Sequence, residues 1–133
     1  MTAFVYDFEK FSCNGVQIIG ISAQPAEEGI KLRQRVIEDS SEDRPGMPLS
    51  PFPVRLVCDP ERDLIQKAGA GRDGKRGFIA RPMSSVVDRS GIVRWLYLGD
   101  GSPSDRLGPA KHAAVAEAVS QGKAVPSEIQ GQR

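Results

Sequence analysis

Apolar residues near the start of the chain recur at helical spacing. Phe4, Phe8 and Phe11 are four and three residues apart, which predicts one apolar stripe on a short helix. The pair Asn14-Gly15 follows and is a typical turn signal. The chain is therefore predicted to open inside a helix that ends at this turn.

The next segments alternate between strand-like and helix-like patterns. Residues 16–22 form a short, mostly apolar, β-branched run, typical of a strand buried on both faces. Residues 25–38 begin at a proline and carry two glutamates in the first turn, which favours an amphipathic helix. Residues 39–53 contain four prolines and predict a surface loop, and residues 54–58 predict a second strand.

The second half of the chain continues the same alternation. An Asp-Pro pair predicts a capped helix over residues 59–68, and the glycine-rich residues 69–77 predict a mobile loop. Residues 83–88 and 92–99 predict a β-hairpin, because a turn with glycine at its end separates them. Residues 109–119 predict a last helix, whose small residues allow close packing against a sheet.

This order of elements predicts one α/β domain, a sheet flanked by helices, over residues 1–122. Residues 123–133 are polar and are predicted to be a frayed tail. A chain of 133 residues is in the usual range for one domain with one modest core.

Charge and cysteine content narrow the function classes. The 18 basic and 17 acidic residues leave a net charge of +1, which gives no electrostatic reason to expect nucleic acid or a membrane as partner. No apolar run approaches the roughly 20 residues of a membrane span, and the first ten residues lack the apolar segment of a secretion signal. We therefore expect a cytoplasmic protein. Its two cysteines form neither a disulfide framework nor a zinc site, and we expect no metal and no cofactor.

Three ordered segments carry a family resemblance. They are NGVQIIGIS at residues 14–22, PFPVRLVCDPE at residues 51–61 and RPMSSVVDRSGIVR at residues 81–94. Together they resemble the second part of a peroxiredoxin of the alkyl hydroperoxide reductase C and thiol-specific antioxidant (AhpC/TSA) group, over residues 4–119. Val86 stands near the family's usual phenylalanine, and the loop at residues 39–50 is longer than in compact members.

The resemblance implies a thioredoxin-like fold and thiol-dependent peroxide reduction. In complete relatives a cysteine thiolate attacks the peroxide, becomes a sulfenic acid and is reduced by a second thiol. The implied partners are a peroxide substrate and a thiol reductant, and a homodimer is an open possibility.

The N-terminal part of the family's sequence pattern is missing from this chain. The family places a Thr-x-x-Cys motif at the first turn of the helix whose last turns this chain retains, so we expect an N-terminally truncated domain without a peroxidatic cysteine. Either the gene is truncated, in which case the upstream coding sequence continues in frame into that motif, or this is a naturally inactive copy. Loss of the first strand further predicts marginal stability or self-association.

The resemblance also assigns candidate residues. Arg81 matches the arginine that points at the catalytic thiol, with a surface salt bridge as the alternative; Pro82 after it is open to a cis bond. Cys13 is a possible substitute for the peroxidatic cysteine, but it lies at the C-terminal end of the predicted helix, where the helix dipole disfavours a thiolate. A resolving or structural thiol is therefore the leading interpretation. Cys58 ends a strand beside Asp59 and is expected to be a small core residue.

The remaining residues with reactive or aromatic side chains are expected to have structural roles. His112 is the sole histidine, has no serine or cysteine close to it in sequence, and is expected on the surface. Trp95 and Tyr97 alternate along one strand face and predict packing. The glycines of residues 69–77 lack the ending of a phosphate loop. The rival function from another class is a non-catalytic binding module on a thioredoxin-like sheet.

Overall fold

The computed structural model describes residues 1–47, 49–75, 77–100, 106–126 and 129. Its helices and strands follow one another in this order: α1 (Thr2–Tyr6), α2 (Glu9–Ser12), β1 (Ile18–Ser22), α3 (Ala26–Asp43), β2 (Val54–Cys58), α4 (Asp63–Lys67), β3 (Gly71–Gly74), β4 (Gly77–Ala80), β5 (Met83–Val87), β6 (Val93–Leu98) and α5 (Pro109–Ser120). The predicted α/β composition is confirmed. Of the predicted tail, residues 127, 128 and 130–133 lie outside the described residues.

The strands pair two by two within the described residues. β1 and β2 are parallel, with Ile18 opposite Val54 and Ser22 opposite Cys58, and α3 is the crossover that connects them. β3 pairs with β4, and β5 with β6, both antiparallel. Hydrogen bonds thus divide the expected sheet into three two-stranded pieces, one of which, β3–β4, the sequence did not predict.

The first helical segment is broken in the middle. α1 ends at Tyr6 and α2 begins at Glu9, where the sequence predicted one continuous helix. The apolar stripe nevertheless persists, since the rings of Phe4 and Phe11 lie 6.0 Å apart and Phe11 is buried. Gly15, at φ +68°, adopts the left-handed conformation expected of the turn.

β1 is buried on one face only, which corrects the predicted burial on both faces. Ile18 packs with Val36 of α3 and Val54 of β2, whereas the side chains of Ile19 and Ile21 are 52% and 53% exposed. The strand therefore alternates in burial, because the described helices cover one side of the β1–β2 pair.

α3 runs to Asp43, five residues beyond its predicted end, into a stretch predicted as loop. Long-range contacts stabilise this extension: the Tyr6 hydroxyl donates to Asp43 Oδ2 at 2.8 Å, and the Arg44 guanidinium lies 4.2 Å from the centre of the Tyr6 ring. Ser40 is fully buried on the same stretch. Tertiary packing here outweighs the weak helix preference of serine and aspartate.

The helix after β2 begins later and is shorter than the Asp-Pro pair predicted, although Asp59 accepts from one of its first amides as expected. The buried Asp59 carboxylate accepts from the Ile65 backbone N–H at 2.9 Å, and α4 has only five residues. The glycines that predicted a mobile loop instead form the β3–β4 hairpin. Gly71 is required there, since a Cβ on it would lie 2.6 Å from the Phe78 ring.

Two apolar clusters form the core. Val5, Val36 and Val54 join α1, α3 and β2. Phe11 packs against the alanines of α5, Ala113 and Ala116, which confirms the predicted small-residue face of the last helix. The β5–β6 hairpin and α5 lie where the sequence predicted them. None of the described helices is long and apolar enough to cross a membrane.

Candidate functional site

Arg81 immediately precedes β5 and is bound at both its main chain and its side chain. Its backbone N–H donates to the Ala70 carbonyl at 2.8 Å, and its Nε donates to the Gly99 carbonyl at 2.9 Å. Among the described residues the partner of its side chain is a backbone carbonyl rather than a carboxylate, and the side chain is half-buried. The guanidinium therefore ties the start of β5 to the end of β6.

Pro82 supports the same junction. Its carbonyl accepts from the Gly99 N–H at 2.8 Å. Among the described peptide bonds the cis one lies between Ser50 and Pro51, so the bond that precedes Pro82 is trans. Arg81 and Pro82 together close the open end of the β5–β6 hairpin.

Cys13 lies where the sequence predicted it, at the C-terminal end of a helix. It caps α2, is exposed, and has its Sγ 3.6 Å from the Lys10 carbonyl and 3.5 Å from Asn14 Nδ2. The backbone N–H groups of Asn14 and Gly15 donate to the carbonyls of Phe11 and Ser12, so the turn satisfies the end of the helix beside this thiol. No hydrogen bond joins Arg81 to either cysteine in the described part of the chain.

Cys58 is half-buried at the end of β2 and faces α3. A Cβ built on Gly29 of α3 would lie only 2.8 Å from Cys58 Sγ, so the helix backbone passes directly over the sulfur. Its role as a small packing residue is therefore the one that the structure supports. Both cysteines are free.

His112 is buried, which corrects the surface position predicted from sequence. It has 9% of its surface exposed, its Nδ1 is 2.9 Å from the Gly108 carbonyl and its Nε2 is 2.7 Å from Ser84 Oγ. Since a carbonyl can only accept, Nδ1 carries the proton in the neutral ring and Ser84 donates to Nε2. The ring also makes edge contacts with Phe4 and Trp95, at 5.1 and 5.8 Å between centroids.

Comparison with solved structures identifies the fold. The chain is similar to reduced Prx3 from Vibrio vulnificus, solved in complex with H₂O₂, with a TM-score of 0.59 and 16% sequence identity. The fold is that of a peroxiredoxin. The alignment covers 87% of this chain and 65% of that one.

The likeness defines the fold and no more. No family model matches the sequence, and no curated protein matches it. The expected thioredoxin-like, peroxiredoxin-type architecture is thus confirmed at the level of fold. This chain spans less than two thirds of the Prx3 chain.

The peroxiredoxin-like fold brings together a pair that sequence reasoning missed. Ser84 and His112 are 28 positions apart, on β5 and α5. The one available signal was the predicted packing of α5 on the sheet, since His112 lies beside the alanines of the buried helix face. Trp95 and Tyr97 stack at 6.3 Å as predicted, and Trp95 Nε1 donates to the Ile129 carbonyl at 2.9 Å.

Proposed function

We propose that this chain is a redoxin domain of the AhpC/TSA antioxidant group, related to thiol-dependent peroxide reductases, and that by itself it does not reduce peroxide. The observation that carries the proposal is the peroxiredoxin-like fold with an arginine held at the start of β5. Two free cysteines fit a reducing compartment, and we propose a cytoplasmic location.

The surroundings of the two thiols support the proposed inactivity. Peroxide is attacked by a thiolate, and a thiolate needs positive partial charge from a helix N-terminus or a nearby cation. Cys13 is at the opposite end of α2, and Cys58 is half-buried beside the buried carboxylate of Asp59. Neither thiol makes a hydrogen bond or an ion pair with a cationic group in the described part of the chain.

The side chain of Arg81 supports the proposed relationship to peroxide reductases because it has hydrogen-bond donors left over. Only Nε of Arg81 is hydrogen-bonded among the described residues, which leaves the two Nη groups able to donate to a peroxide oxygen. In a complete site, a cysteine sulfur would attack one peroxide oxygen, the O–O bond would break, and the leaving oxygen would take a proton. The product would be a sulfenic acid and water or an alcohol.

The test is peroxide consumption with dithiothreitol as reductant. We expect the chain to consume hydrogen peroxide no faster than free cysteine at equal thiol concentration. The variants Cys13→Ser and Cys58→Ser serve as matched controls. Each should lower the rate of peroxide consumption by no more than the contribution of one free cysteine. Turnover above free cysteine that disappears in one of these variants would show that the chain is an active peroxidase.

A second candidate function, a non-catalytic binding module, is favoured by the apolar side chains exposed on the strands. Ile19 and Ile21 of β1, Val93 and Leu96 of β6 and Val87 of β5 are 47–55% exposed. Exposed apolar side chains on strands are available for contact with a partner, and a second copy of the chain is the first partner to test. Sedimentation velocity should show self-association that Ile21→Lys weakens. The control Ile30→Lys, on α3 and 69% exposed, should leave it unchanged. A monomer at all concentrations would exclude self-association through these strands.

A further inference from the structure

A groove of about 370 Å³ lies between α3 and the β1–β2 pair. It is separate from Arg81 and from the Ser84–His112 pair, neither of which lines it. Two cross-strand pairs form its floor, Gly20 opposite Leu56 and Ser22 opposite Cys58. The groove thus lies at the carboxyl ends of two parallel strands, where α/β proteins commonly bind small ligands.

Two glycines create the space. At Gly20 an added Cβ would lie 3.3 Å from Leu56 Cδ2, and at Gly29 it would lie 2.8 Å from Cys58 Sγ. Larger residues at these positions would fill the floor or push α3 away from the strands. The remaining space falls within the range of ligand sites, roughly 300–1,000 Å³.

The walls combine apolar carbon with charged side chains of α3. Leu32 and Leu56 supply apolar surface, and Glu28, Lys31 and Arg35 lie on the same face of α3 at the rim. Lys31 Nζ bonds Glu28 Oε1 at 2.7 Å, so these two charges compensate each other. Arg35 makes no ion pair within the described residues and leaves the rim with an uncompensated positive charge.

We infer that this groove binds a small organic anion with an apolar body. The apolar body lies on Leu32 and Leu56, and the anionic group meets Arg35. At roughly 30 Å³ per water, the groove holds about a dozen waters, which corresponds to a ligand of about ten non-hydrogen atoms. The groove is open, so we expect weak binding, with a dissociation constant on the order of 0.1–1 mM.

The probe pair octanoate and 1-octanol tests the inference, because the two share an apolar chain of equal length and differ in charge. Both would be titrated into the full chain labelled with ¹⁵N and followed by amide chemical shifts. We expect octanoate to shift the amides of Gly20, Gly29 and Cys58 and to bind more tightly than octanol by roughly three- to fivefold, the contribution of one exposed ion pair.

Two arginine variants separate this site from general charge effects. Arg35→Gln should reduce octanoate affinity to that of octanol. Arg33→Gln, two residues earlier on α3 with its guanidinium over Phe52 and outside the groove, should leave the affinity unchanged. Shifts centred on the exposed residues Val93 and Leu96 of β6, equal affinities for the two probes in the unmodified chain, or equal effects of the two variants would each overturn the inference.

Discussion

The buried pair Ser84 and His112 offers a quantitative test of the fold. Ser84→Ala removes the hydroxyl that donates to His112 Nε2 at 2.7 Å and leaves that nitrogen without a partner in a site with 9% exposure. An unsatisfied buried polar group costs about 1–3 kcal/mol. In a domain of this size, 1 kcal/mol lowers the melting temperature by roughly 2–8 °C.

A double-mutant cycle isolates the hydrogen bond from the packing around it. His112→Phe retains an aromatic ring against Phe4 and Trp95 and removes both ring nitrogens. In the His112→Phe background, Ser84→Ala no longer leaves a buried nitrogen without a hydrogen-bond partner. The loss of unfolding free energy caused by Ser84→Ala should then fall to about 0.5 kcal/mol or less. The expected coupling between the two positions is therefore about 1–2 kcal/mol.

Urea unfolding followed by the fluorescence of Trp95 measures each corner of the cycle, because this tryptophan is buried and 5.8 Å from His112. Ser85→Ala is the matched control: Ser85 is the exposed neighbour on the opposite face of β5, and its loss should change stability by no more than about 0.5 kcal/mol. Equal costs for the two serines, or zero coupling, would refute the tautomer and the partner assigned to His112.

Two further predictions concern the β5–β6 turn and the contact of α3 with β2. The backbone N–H of Ile92 and then the Arg94 guanidinium hold the pKa of Asp88 below its ordinary value of 3.8. The stability this carboxylate contributes is therefore present above that pH and is lost as the pH falls through the lower folded-state pKa. The difference in unfolding free energy between the natural chain and Asp88→Asn should narrow on acidification, as measured by urea unfolding from pH 7 to about pH 3; a constant difference would contradict it. Gly29→Ala should destabilise the chain in thermal unfolding because its Cβ meets Cys58 Sγ, whereas in a Cys58→Ala background the same change should stabilise it by about 0.5–1 kcal/mol.

Local patterns predicted much of the secondary structure, and tertiary contacts explain most of the errors. The strand at residues 54–58, the β5–β6 hairpin and α5 are short segments bounded by strong glycine or proline signals, and each was placed within one or two residues. The C-terminal turn of α3 was missed because Tyr6, 37 positions from Asp43, stabilises it. The β3–β4 hairpin was missed because glycine clusters occur both in mobile loops and in strands that need close approach to a ring.

The candidate site was harder to predict for the same reason. The position of Arg81 before β5 is a local property, and the family resemblance identified it. Its partner Gly99 and the partner of His112 are 18 and 28 positions away, and nothing in the local pattern indicates either contact. The exposure of Ile19 and Ile21 was missed because a continuous apolar run does not show which of its two faces other elements cover.

The contacts that hold Arg81 in place do not depend on its proposed role in peroxide reduction. The hydrogen bonds that hold it run to the backbone carbonyls of Ala70, just before β3, and Gly99, just after β6, and neither acceptor is a thiol. The arginine therefore keeps its position whether or not a nucleophile is present. A chain that has lost peroxidase activity would retain this residue for the stability of the β5–β6 junction. The presence of the arginine is therefore compatible with an active and with an inactive chain, and the peroxide-consumption assay on Cys13→Ser and Cys58→Ser decides between them.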